Sequence, residues 1–572
     1  MQHLNKFNLT RFSIRLFILV IIFSQIKCTP PSVPVKAKNG MVVSASTIAS
    51  EVGVEILKSG GNAVDAAVAT GFALAVTLPY AGNIGGGGFM VIHLNNGVNT
   101  SIDYREKAPL AAFKNMYLDS AGNVIPGLSL EGITSVGVPG SVAGMIYALE
   151  KYGSLPLRDV IQPAINLAEN GWALNKATAD GFKKYSKIFK NYPSTYKIFT
   201  NNGEPFKEGD LFKQQDLAHT LKLIRDNGFN GFYKGQVSDL IVKQMDEMGG
   251  FITHADLENY KPVERKPIIG NYRGYKIVSM PPPSSGGIAL VELLNILENF
   301  KINKDDWGSS LYIHRLVEAM KYVYADRTVH LGDADFYPVP VDGLISKHYA
   351  KDIFKKIGDA AVPSNKIYAG NPLKYFESKE TTHYSVYDDE GNAVSVTTTL
   401  NSSFGSKVVV EGAGFLLNNE MNDFVEKPGV PNQFGLLGSD ANSIEPGKRM
   451  LSSMTPTIVL KDDKPFIIIG SPGGSTIITT VLQVVLNCIE FNMNIQEAIN
   501  APRIHHQWMP DTILCEQSAL TNTTRNDLIR MGYNLKGGDI KLGMAEGIMI
   551  DNKRHIIYGA SDNRGTGSAE GY

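Results

Sequence analysis

The pattern of the sequence changes at residue 381, and this change constrains the fold more than any other feature. Residues 139–350 show mostly helical periodicity. After residue 381, pairs of β-like runs flank short polar turns within residues 383–400, 457–470 and 545–559. Hairpins that follow long helical stretches are typical of sheets covered by helices. The sequence therefore predicts a layered α/β fold.

Two helices are predicted before this region. Apolar residues spaced by four predict a helix over residues 46–58, and Gly60-Gly61 closes it. Asn62 is a suitable cap for the next helix, residues 63–76, which is apolar on most sides and is therefore expected to be buried. Four glycines follow at 85–88. They indicate either a close crossing of two backbones or, less simply, a phosphate cradle.

Composition excludes several classes of protein. The 572 residues are 43% hydrophobic and 19% charged, which excludes a disordered chain. The 55 basic and 56 acidic residues give a net charge of −1, which argues against binding nucleic acid by phosphate neutralisation. Only Cys488 and Cys515 lie beyond the leader, so at most one disulfide can form there. No Cys/His spacing resembles a zinc site, and we expect no metal and no cofactor.

The first 28 residues have the features of an export signal. Lys6, Arg11 and Arg15 precede an apolar run over residues 16–26, which is shorter than the ~20 residues of a membrane span. We therefore expect a signal peptide at 1–28 and a periplasmic or secreted protein. Cleavage just after Cys28 would give these bounds, and two alternatives stay open: lipid modification of Cys28 and an uncleaved anchor.

Thr381 is a candidate nucleophile. It follows a polar stretch without periodicity, residues 361–379, which we expect to be exposed and mobile. If the bond between Glu380 and Thr381 were cut, Thr381 would carry a hydroxyl and its own α-amino group. An α-amino group has a pKa of about 8, which suits it to remove a hydroxyl proton at neutral pH. The alternative is an ordinary Thr pair at the start of a strand.

The turn that follows predicts a partner for this residue. In an antiparallel hairpin centred on Glu390, directly opposed positions place Thr381 across from Thr399. The two hydroxyls would then lie close enough for Thr399 to orient the nucleophile.

Several blocks resemble one known family, the γ-glutamyltranspeptidases. Residues 381–385 (TTHYS) resemble its processing site. The other blocks, in the family's order, are GGNAVDAA at 60–67, NIGGGGF at 83–89, DYRE at 103–106, PPPSSGG at 281–287, LSSM at 451–454, SPGGS at 471–475, GASD at 559–562 and GY at 571–572. Together they span nearly all of the chain after the leader.

This resemblance implies a fold and a processing step. The family is similar in fold to N-terminal-nucleophile hydrolases, a four-layer αββα sandwich with two sheets between helical layers. Its precursor cuts itself, here between Glu380 and Thr381. The large subunit would be residues 29–380 and the small subunit residues 381–572, and the two would remain together as a heterodimer that forms a single domain.

The resemblance also implies an activity. The chain would be a γ-glutamyl acyltransferase and a glutathione hydrolase. The Thr381 hydroxyl would attack the γ-carbonyl of glutathione or a related γ-glutamyl compound and form an ester. Water would then release glutamate, or an amino acid or peptide would accept the γ-glutamyl group.

Positions in the matching blocks imply the substrate-binding residues. Arg105 would bind the substrate α-carboxylate, because a guanidinium matches a carboxylate with two hydrogen bonds. Ser452 and Ser453 would donate hydroxyls to the same group. For Arg105, the alternative is a structural ion pair with Asp103 or Glu106.

Other positions imply an ammonium site and an oxyanion site. Glu420 and Asp423, helped by Asn401, would bind the substrate α-amino group; some relatives have Gln in place of Glu420. Gly473 and Gly474 would offer backbone N–H groups to the tetrahedral oxyanion. For Glu420 and Asp423, the alternative is a solvated acidic face. For Gly473 and Gly474, it is a plain strand-to-helix turn.

Residues 428–438 resemble a lid loop that covers the glutamyl pocket in some members of the family. Relatives often have Tyr where this chain has Phe434, so a hydroxyl latch is missing here, and a looser lid could favour water as acceptor. His383, His505 and His506 are expected to be packed or hydrogen-bonded rather than catalytic.

Two rival functions are weighed. One is an acylase of the same fold acting on glutaryl-type amides, which would need no ammonium site. The other is a non-enzymatic exported protein that binds amino acids or glutathione. Glu420 and Asp423 argue against the first, and Thr381, Thr399, Gly473 and Gly474 argue against the second.

Overall fold

The computed structural model describes residues 33–372 and 383–572, and from Pro34 onward these form one compact unit. Two seven-stranded antiparallel sheets lie face to face, and helices cover the outer face of each. The predicted four-layer αββα sandwich is therefore confirmed.

The two sheets are called sheet I and sheet II here. Each contains strands from both ends of the chain. Sheet I has the strand order Val35–Ala37, Ile556–Ser561, Glu546–Asp551, Lys464–Gly470, Thr457–Lys461, Tyr275–Ser279 and Ile268–Tyr272. Sheet II has the order Ser568–Gly571, Met41–Ser44, Tyr384–Tyr387, Ala393–Thr399, Gly87–His93, Asn99–Tyr104 and Val263–Arg265. Smaller sheets are formed by Ile504–His505, Ile513–Glu516 and Leu535–Gly538, and by Trp172–Ala173 and Leu211–Phe212.

The hairpin around Glu390 has the predicted register. Tyr384 opposes Val396, and Tyr387 opposes Ala393, which are the pairs expected for a turn centred on Glu390. The pairing is determined locally, because a short polar turn fixes which residues face each other. Position 381 itself lies outside the described residues.

The helical layer on sheet II is built around one buried helix. Every residue of Ala63–Thr77 is buried, and Asn62 caps it as predicted: its side chain accepts hydrogen bonds from the N–H groups of Val64 and Asp65. The helices on this side are Thr47–Lys58, Ala63–Thr77, Ser141–Tyr152, Leu157–Asn170, Lys176–Phe189, Pro193–Ile198, Gln215–Asn227, Asn230–Tyr233, Gln236–Met248 and His254–Glu258.

The layer on sheet I contains the helices that approach the candidate site. Its helices are Gly286–Leu297, Ser310–His330, Val341–Leu344, Lys347–Phe354, Thr476–Ile489, Ile495–Asn500 and Asn522–Met531. Short 3-10 helices lie at Ile133–Ser135, Lys304–Asp306, Ser364–Lys366, Glu420–Asp423 and Asp440–Asn442. Within the described part of the chain, none of the helices is both long enough and apolar enough to cross a membrane.

The two sheets are joined by an apolar core. Side chains such as Val43, Val91, Ile468 and Ile548 are completely buried between them. Burying an aliphatic side chain of this size stabilises a fold by about 1.5–3 kcal/mol. This core holds the ends of the central strands of both sheets in a fixed relation.

The expectation of an exposed segment at 361–379 is met only in part by residues 361–372, where Lys366 and Tyr368 are exposed but Ser364 and Ile367 are buried, whereas residues 373–379 lie outside the described part. Asp511 accepts hydrogen bonds from the backbone N–H of Ser364 at 2.8 Å and from its hydroxyl at 2.7 Å. The indole N–H of Trp508 donates to the Ser364 carbonyl at 2.8 Å. Polar composition predicted exposure, but distant partners hold this segment.

Candidate active site

A cavity of about 190 Å³ lies where central strands of the two sheets end. Seven of the predicted site residues line it: Thr399, Asn401, Glu420, Asp423, Ser453, Gly473 and Gly474. Arg105 and Ser452 are fully buried next to it. Glu380 and Thr381 lie outside the described residues. The fold thus brings together residues that are far apart in the sequence.

Thr399 ends a strand of sheet II at the cavity wall. Its hydroxyl oxygen accepts a hydrogen bond from the Asn401 N–H at 2.7 Å, and the Asn83 side chain donates to its carbonyl at 2.8 Å. The four-glycine run explains how this is possible, because a Cβ at Gly86 would lie 2.0 Å from the Thr399 carbonyl oxygen. The run is therefore a close crossing of backbones.

Arg105 bridges the two carboxylates of the predicted ammonium site. Its Nη2 donates to Asp423 at 2.7 Å, and its Nη1 contacts Glu420 in a short hydrogen bond. Glu106 is farther from Nη1, at 3.5 Å, and Asp103 accepts from the Arg105 backbone N–H at 3.0 Å. The guanidinium is fully buried behind two carboxyl groups that face the cavity.

Burial decides the protonation of these carboxyl groups. It raises the pKa of Glu420 well above its ordinary value and also raises that of Asp423, while Arg105 opposes both shifts. Burial raises the pKa of Glu106 to about 7. Glu420 Oε2 has no hydrogen-bond partner among the residues that the structure describes. These carboxyl groups therefore favour the protonated form unless a cation lies beside them.

The two predicted serines lie on a buried segment next to a second arginine. Ser453 lines the cavity, and Arg327 Nη2 donates to its hydroxyl oxygen at 3.3 Å. The Ser452 carbonyl accepts from the Ser285 hydroxyl at 2.8 Å. Ser285, from the PPPSSGG block at 281–287, thus holds this segment in place.

Gly473 and Gly474 form the connection between the strand Lys464–Gly470 and the helix Thr476–Ile489, as predicted. Their φ angles are +139° and +57°, where a side chain is disfavoured. A Cβ at Gly474 would also lie 2.5 Å from the Phe434 ring. Only glycine allows this turn and this ring to meet at the cavity wall.

The lid-like loop is held by contacts other than a tyrosine hydroxyl. The Ser402 hydroxyl donates to the Gln433 side chain at 2.7 Å. The Gln507 amide donates to the Phe434 carbonyl at 3.1 Å and accepts from the Ser475 hydroxyl at 2.7 Å. Gln507 thus connects the loop to the residue that follows the Gly473-Gly474 turn.

The histidines are packed and hydrogen-bonded, as predicted. His383 lies in the cavity wall, bonds to Ser385 at 2.5 Å, and has its pKa lowered to about 3 by burial. His505 bonds to Thr479 at 2.9 Å, and burial lowers its pKa to about 4. At neutral pH both are uncharged.

Sequence reasoning missed Arg327, Gln507 and Glu546. Glu546 lines the cavity, and burial raises its pKa well above the ordinary value. Arg327 belongs to the long helix Ser310–His330, in which several charged residues are buried. The sequence shows charged residues within a mostly apolar helix, which indicates that some of them are buried. It does not show which cavity they face.

The arrangement suits recognition of a zwitterion beside an acyl-transfer centre. Carboxyl groups, a guanidinium and hydroxyls lie at one end of the cavity, where they match an ammonium and a carboxylate on one carbon. The glycine turn at a helix start and Thr399 lie around the same space. Backbone N–H groups in such a turn suit a developing oxyanion.

Comparisons with known proteins agree with this geometry. The family model described as Gamma-glutamyltranspeptidase matches residues 49–572. The glutathione hydrolase proenzyme of Escherichia coli (strain K12) is 51% identical over 537 residues, which covers 93% of this chain and 91% of the relative.

Solved structures extend the likeness to three dimensions. The cephalosporin acylase from Bacillus halodurans matches with a TM-score of 0.85 at 28% identity, covering 96% of this chain and 98% of its own. The γ-glutamyltranspeptidase of Helicobacter pylori matches with a TM-score of 0.58 at 53% identity, covering 59% of this chain and 97% of the matched chain. With the family model spanning most of its length, this chain belongs to the gamma-glutamyltranspeptidase family.

Proposed function

We propose that this protein is a glutathione hydrolase and γ-glutamyltransferase that acts through an ester of Thr381. The observation that carries the proposal is the cavity itself, in which Glu420, Asp423, Ser453 and the Gly473-Gly474 turn face one space. The name of the Escherichia coli relative, a glutathione hydrolase proenzyme at 51% identity, supports the same activity here.

The ionic end of the cavity would bind the amino-acid head of the γ-glutamyl group. The substrate ammonium would take Glu420 Oε2 as acceptor, together with Asp423 and Asn401. The substrate α-carboxylate would bind Arg105 and the hydroxyls of the two neighbouring serines, Ser452 and Ser453. Partners are exchanged rather than lost, because each ion of the substrate replaces one half of a buried ion pair.

The chemical step follows from a free N-terminal threonine. The Thr381 hydroxyl would attack the γ-carbonyl carbon while its α-amino group takes the hydroxyl proton. Gly473 and Gly474 would donate N–H bonds to the resulting oxyanion, and Thr399 would orient the attacking oxygen. When the C–N bond breaks, that proton passes to the leaving amine, which is cysteinylglycine when the donor is glutathione.

The second half of the reaction restores the enzyme. Water attacking the ester would release glutamate, and an amino acid or peptide amine would instead form a new γ-glutamyl compound. In both cases, the Thr381 oxygen regains a proton. No metal or cofactor is needed for these steps.

Maturation would use the same hydroxyl. The Thr381 hydroxyl would attack the carbonyl carbon of Glu380, and the Glu380–Thr381 C–N bond would break as the nitrogen takes the hydroxyl proton, leaving an ester and a free α-amino group. Water would then open the ester, giving a large subunit of residues 29–380 and a small subunit of residues 381–572. The proenzyme names of the relatives support processing of a precursor. Export through the signal at residues 1–28 would place the protein in the periplasm or outside the cell.

The decisive experiment is intact mass measurement of Thr381→Ala, with Thr382→Ala as the matched control. We expect the wild type and Thr382→Ala to become two chains, and the N-terminus of the smaller chain to be residue 381. Thr381→Ala should remain one chain and release no glutamate from glutathione. Two chains and normal glutamate release from Thr381→Ala would refute the proposal.

A second candidate function is a glutaryl-type amide acylase. It is favoured by the likeness to the cephalosporin acylase from Bacillus halodurans, which has a TM-score of 0.85. Comparing γ-glutamyl and glutaryl 4-nitroanilides separates the two, because only the first carries the ammonium that Glu420 and Asp423 would bind. Faster turnover of the glutaryl compound would favour the acylase.

A further inference from the structure

Arg327 lies at the carboxylate end of the cavity. It belongs to the helix Ser310–His330 and is 5% exposed. Its side chain lines the main cavity and also a smaller pocket beneath the lid-like loop, and Asp423 lines both as well. A buried guanidinium is costly unless hydrogen bonds or an opposite charge compensate it, so its partners at the cavity wall matter.

The guanidinium of Arg327 organises the segment that carries both predicted serines. Its Nε donates to the Ser285 hydroxyl oxygen at 2.9 Å, and its Nη2 donates to the Ser453 hydroxyl oxygen at 3.3 Å. Ser285 in turn donates its proton to the Ser452 carbonyl at 2.8 Å. One side chain therefore touches Ser453 directly and reaches Ser452 through Ser285.

The direction of these bonds matters for a substrate. A guanidinium can only donate, so Ser453 must accept from Arg327. The Ser453 proton is then turned away from Arg327 and is available to an acceptor in the cavity. A carboxylate in the cavity is an acceptor of this kind.

The charges point the same way. Arg105 is bridged to Glu420 and Asp423, which lie between it and the cavity. Arg327 lines the cavity itself, and its positive charge lowers the pKa of Asp423 against the effect of burial. The end of the cavity next to Ser453 is therefore the more favourable end for an anion.

We propose that Arg327 is a positioning residue for the substrate α-carboxylate. It sets the Ser453 hydroxyl as a donor, holds the Ser452 backbone through Ser285, and adds a second positive charge at that end of the cavity. This inference rests on the proposed γ-glutamyl activity.

The test compares Arg327→Gln and Arg327→Lys with the control Thr328→Ala on the same helix, where the Thr328 hydroxyl donates to the Tyr324 carbonyl of its own helix. The substrates are γ-glutamyl 4-nitroanilide and 4-aminobutyryl 4-nitroanilide, which lacks the α-carboxylate. For Arg327→Gln we expect the KM for the γ-glutamyl compound to rise about tenfold or more with a smaller change in kcat. The preference for that compound in kcat/KM should fall by a similar factor.

The control and the lysine variant sharpen the result. Arg327→Lys should recover part of the preference, because it keeps the charge but lacks the planar guanidinium whose Nε and Nη2 donate to Ser285 and Ser453. Thr328→Ala should behave as the wild type. An unchanged preference in Arg327→Gln, or a loss in kcat alone with the same KM, would overturn the proposal.

Two further measurements keep the result unambiguous. If Arg327→Gln does not fold, Ser285→Ala breaks the connection to Ser452 while keeping the charge, and we expect about a threefold loss of the same preference; no loss would contradict the proposal. A wild type inactive on γ-glutamyl 4-nitroanilide would contradict the proposed function itself. An active wild type with unaffected variants would contradict only the role of Arg327.

Discussion

The buried ionisable side chains of the cavity are arranged so that each has a partner or a neutral form. Arg105 contacts Glu420 and Asp423 from behind the cavity wall, and burial raises the pKa of both carboxyl groups. His383, in contrast, is 3% exposed and is neutral because burial lowers its pKa to about 3. A buried histidine of this kind makes stability depend on pH even if it has no part in the chemistry.

We predict that His383 makes the fold less stable in acid. Its pKa falls from 6.5 in the unfolded chain to about 3 in the folded chain, so the unfolded chain binds more protons between these values. Stability should therefore fall as pH is lowered from 6.5 to 3, by about 4 kcal/mol from this residue. Urea unfolding of the wild type and His383→Gln at several pH values measures the slope.

The variant should have a flatter slope in this range than the wild type. His348→Gln is the control, because the side chain of His348 is 89% exposed. Equal slopes for His383→Gln and the wild type would show that the histidine is not buried in the neutral form.

The contact between the Gly473-Gly474 turn and the lid-like loop depends on the absence of a side chain at Gly474. The Gly473-Gly474 turn ends a strand of sheet I, begins a helix and supports the ring of Phe434 from the lid-like loop. Gln507 bonds to both the loop and Ser475, so the loop and the turn form one unit. A change in the turn should therefore be transmitted to the loop.

We predict that Gly474→Ala impairs activity and that Phe434→Ala partly restores it. The added methyl would lie 2.5 Å from the Phe434 ring, so the ring or the turn must move. We expect kcat to fall about a hundredfold, the size of effect seen when one oxyanion donor is lost. In the double variant, we expect a tenfold recovery, because the clash is removed and about 1 kcal/mol of backbone strain remains.

Steady-state kinetics on a γ-glutamyl anilide for the wild type, both single variants and the double variant form a double-mutant cycle. Phe434→Ala alone serves as the reference for loss of the ring. Strictly additive losses would mean that the methyl and the ring do not meet.

Taken across the chain, the two predicted subunits are interleaved rather than side by side. The strand Tyr384–Tyr387 lies between Met41–Ser44 and Ala393–Thr399, and the strand Lys464–Gly470 lies in the same sheet as Tyr275–Ser279. Both sheets therefore contain strands from before and after residue 381. Cutting the chain there would remove a covalent bond but none of these pairings.

We predict that the two chains stay together after scission. In size-exclusion chromatography without denaturant, the mature protein should elute as one species, since the apolar core between the sheets is shared. Denaturing electrophoresis of the same fraction should show two bands. Separate elution of the two chains in native buffer would contradict the interleaved arrangement.

The layered fold and much of the site could be predicted because their signals are local or clustered in motifs. The hairpin register followed from a turn at Glu390, and the cap at Asn62 followed from its place before an apolar run. The anchoring of residues 361–372 could not be predicted, since their partners Asp511 and Trp508 lie far along the chain. Nor could the composition of this segment distinguish a held loop from a mobile one.

By itself, the sequence determined features whose partners are neighbours along the chain: a turn, a cap, a hairpin and a glycine connection. Only the tertiary structure decided which buried charges meet. Arg105 and Glu420 are 315 residues apart, and Arg327 and Ser453 are 126 apart. Local rules of propensity and periodicity do not extend over such separations, whereas packing of two sheets and their helices brings these side chains to one cavity.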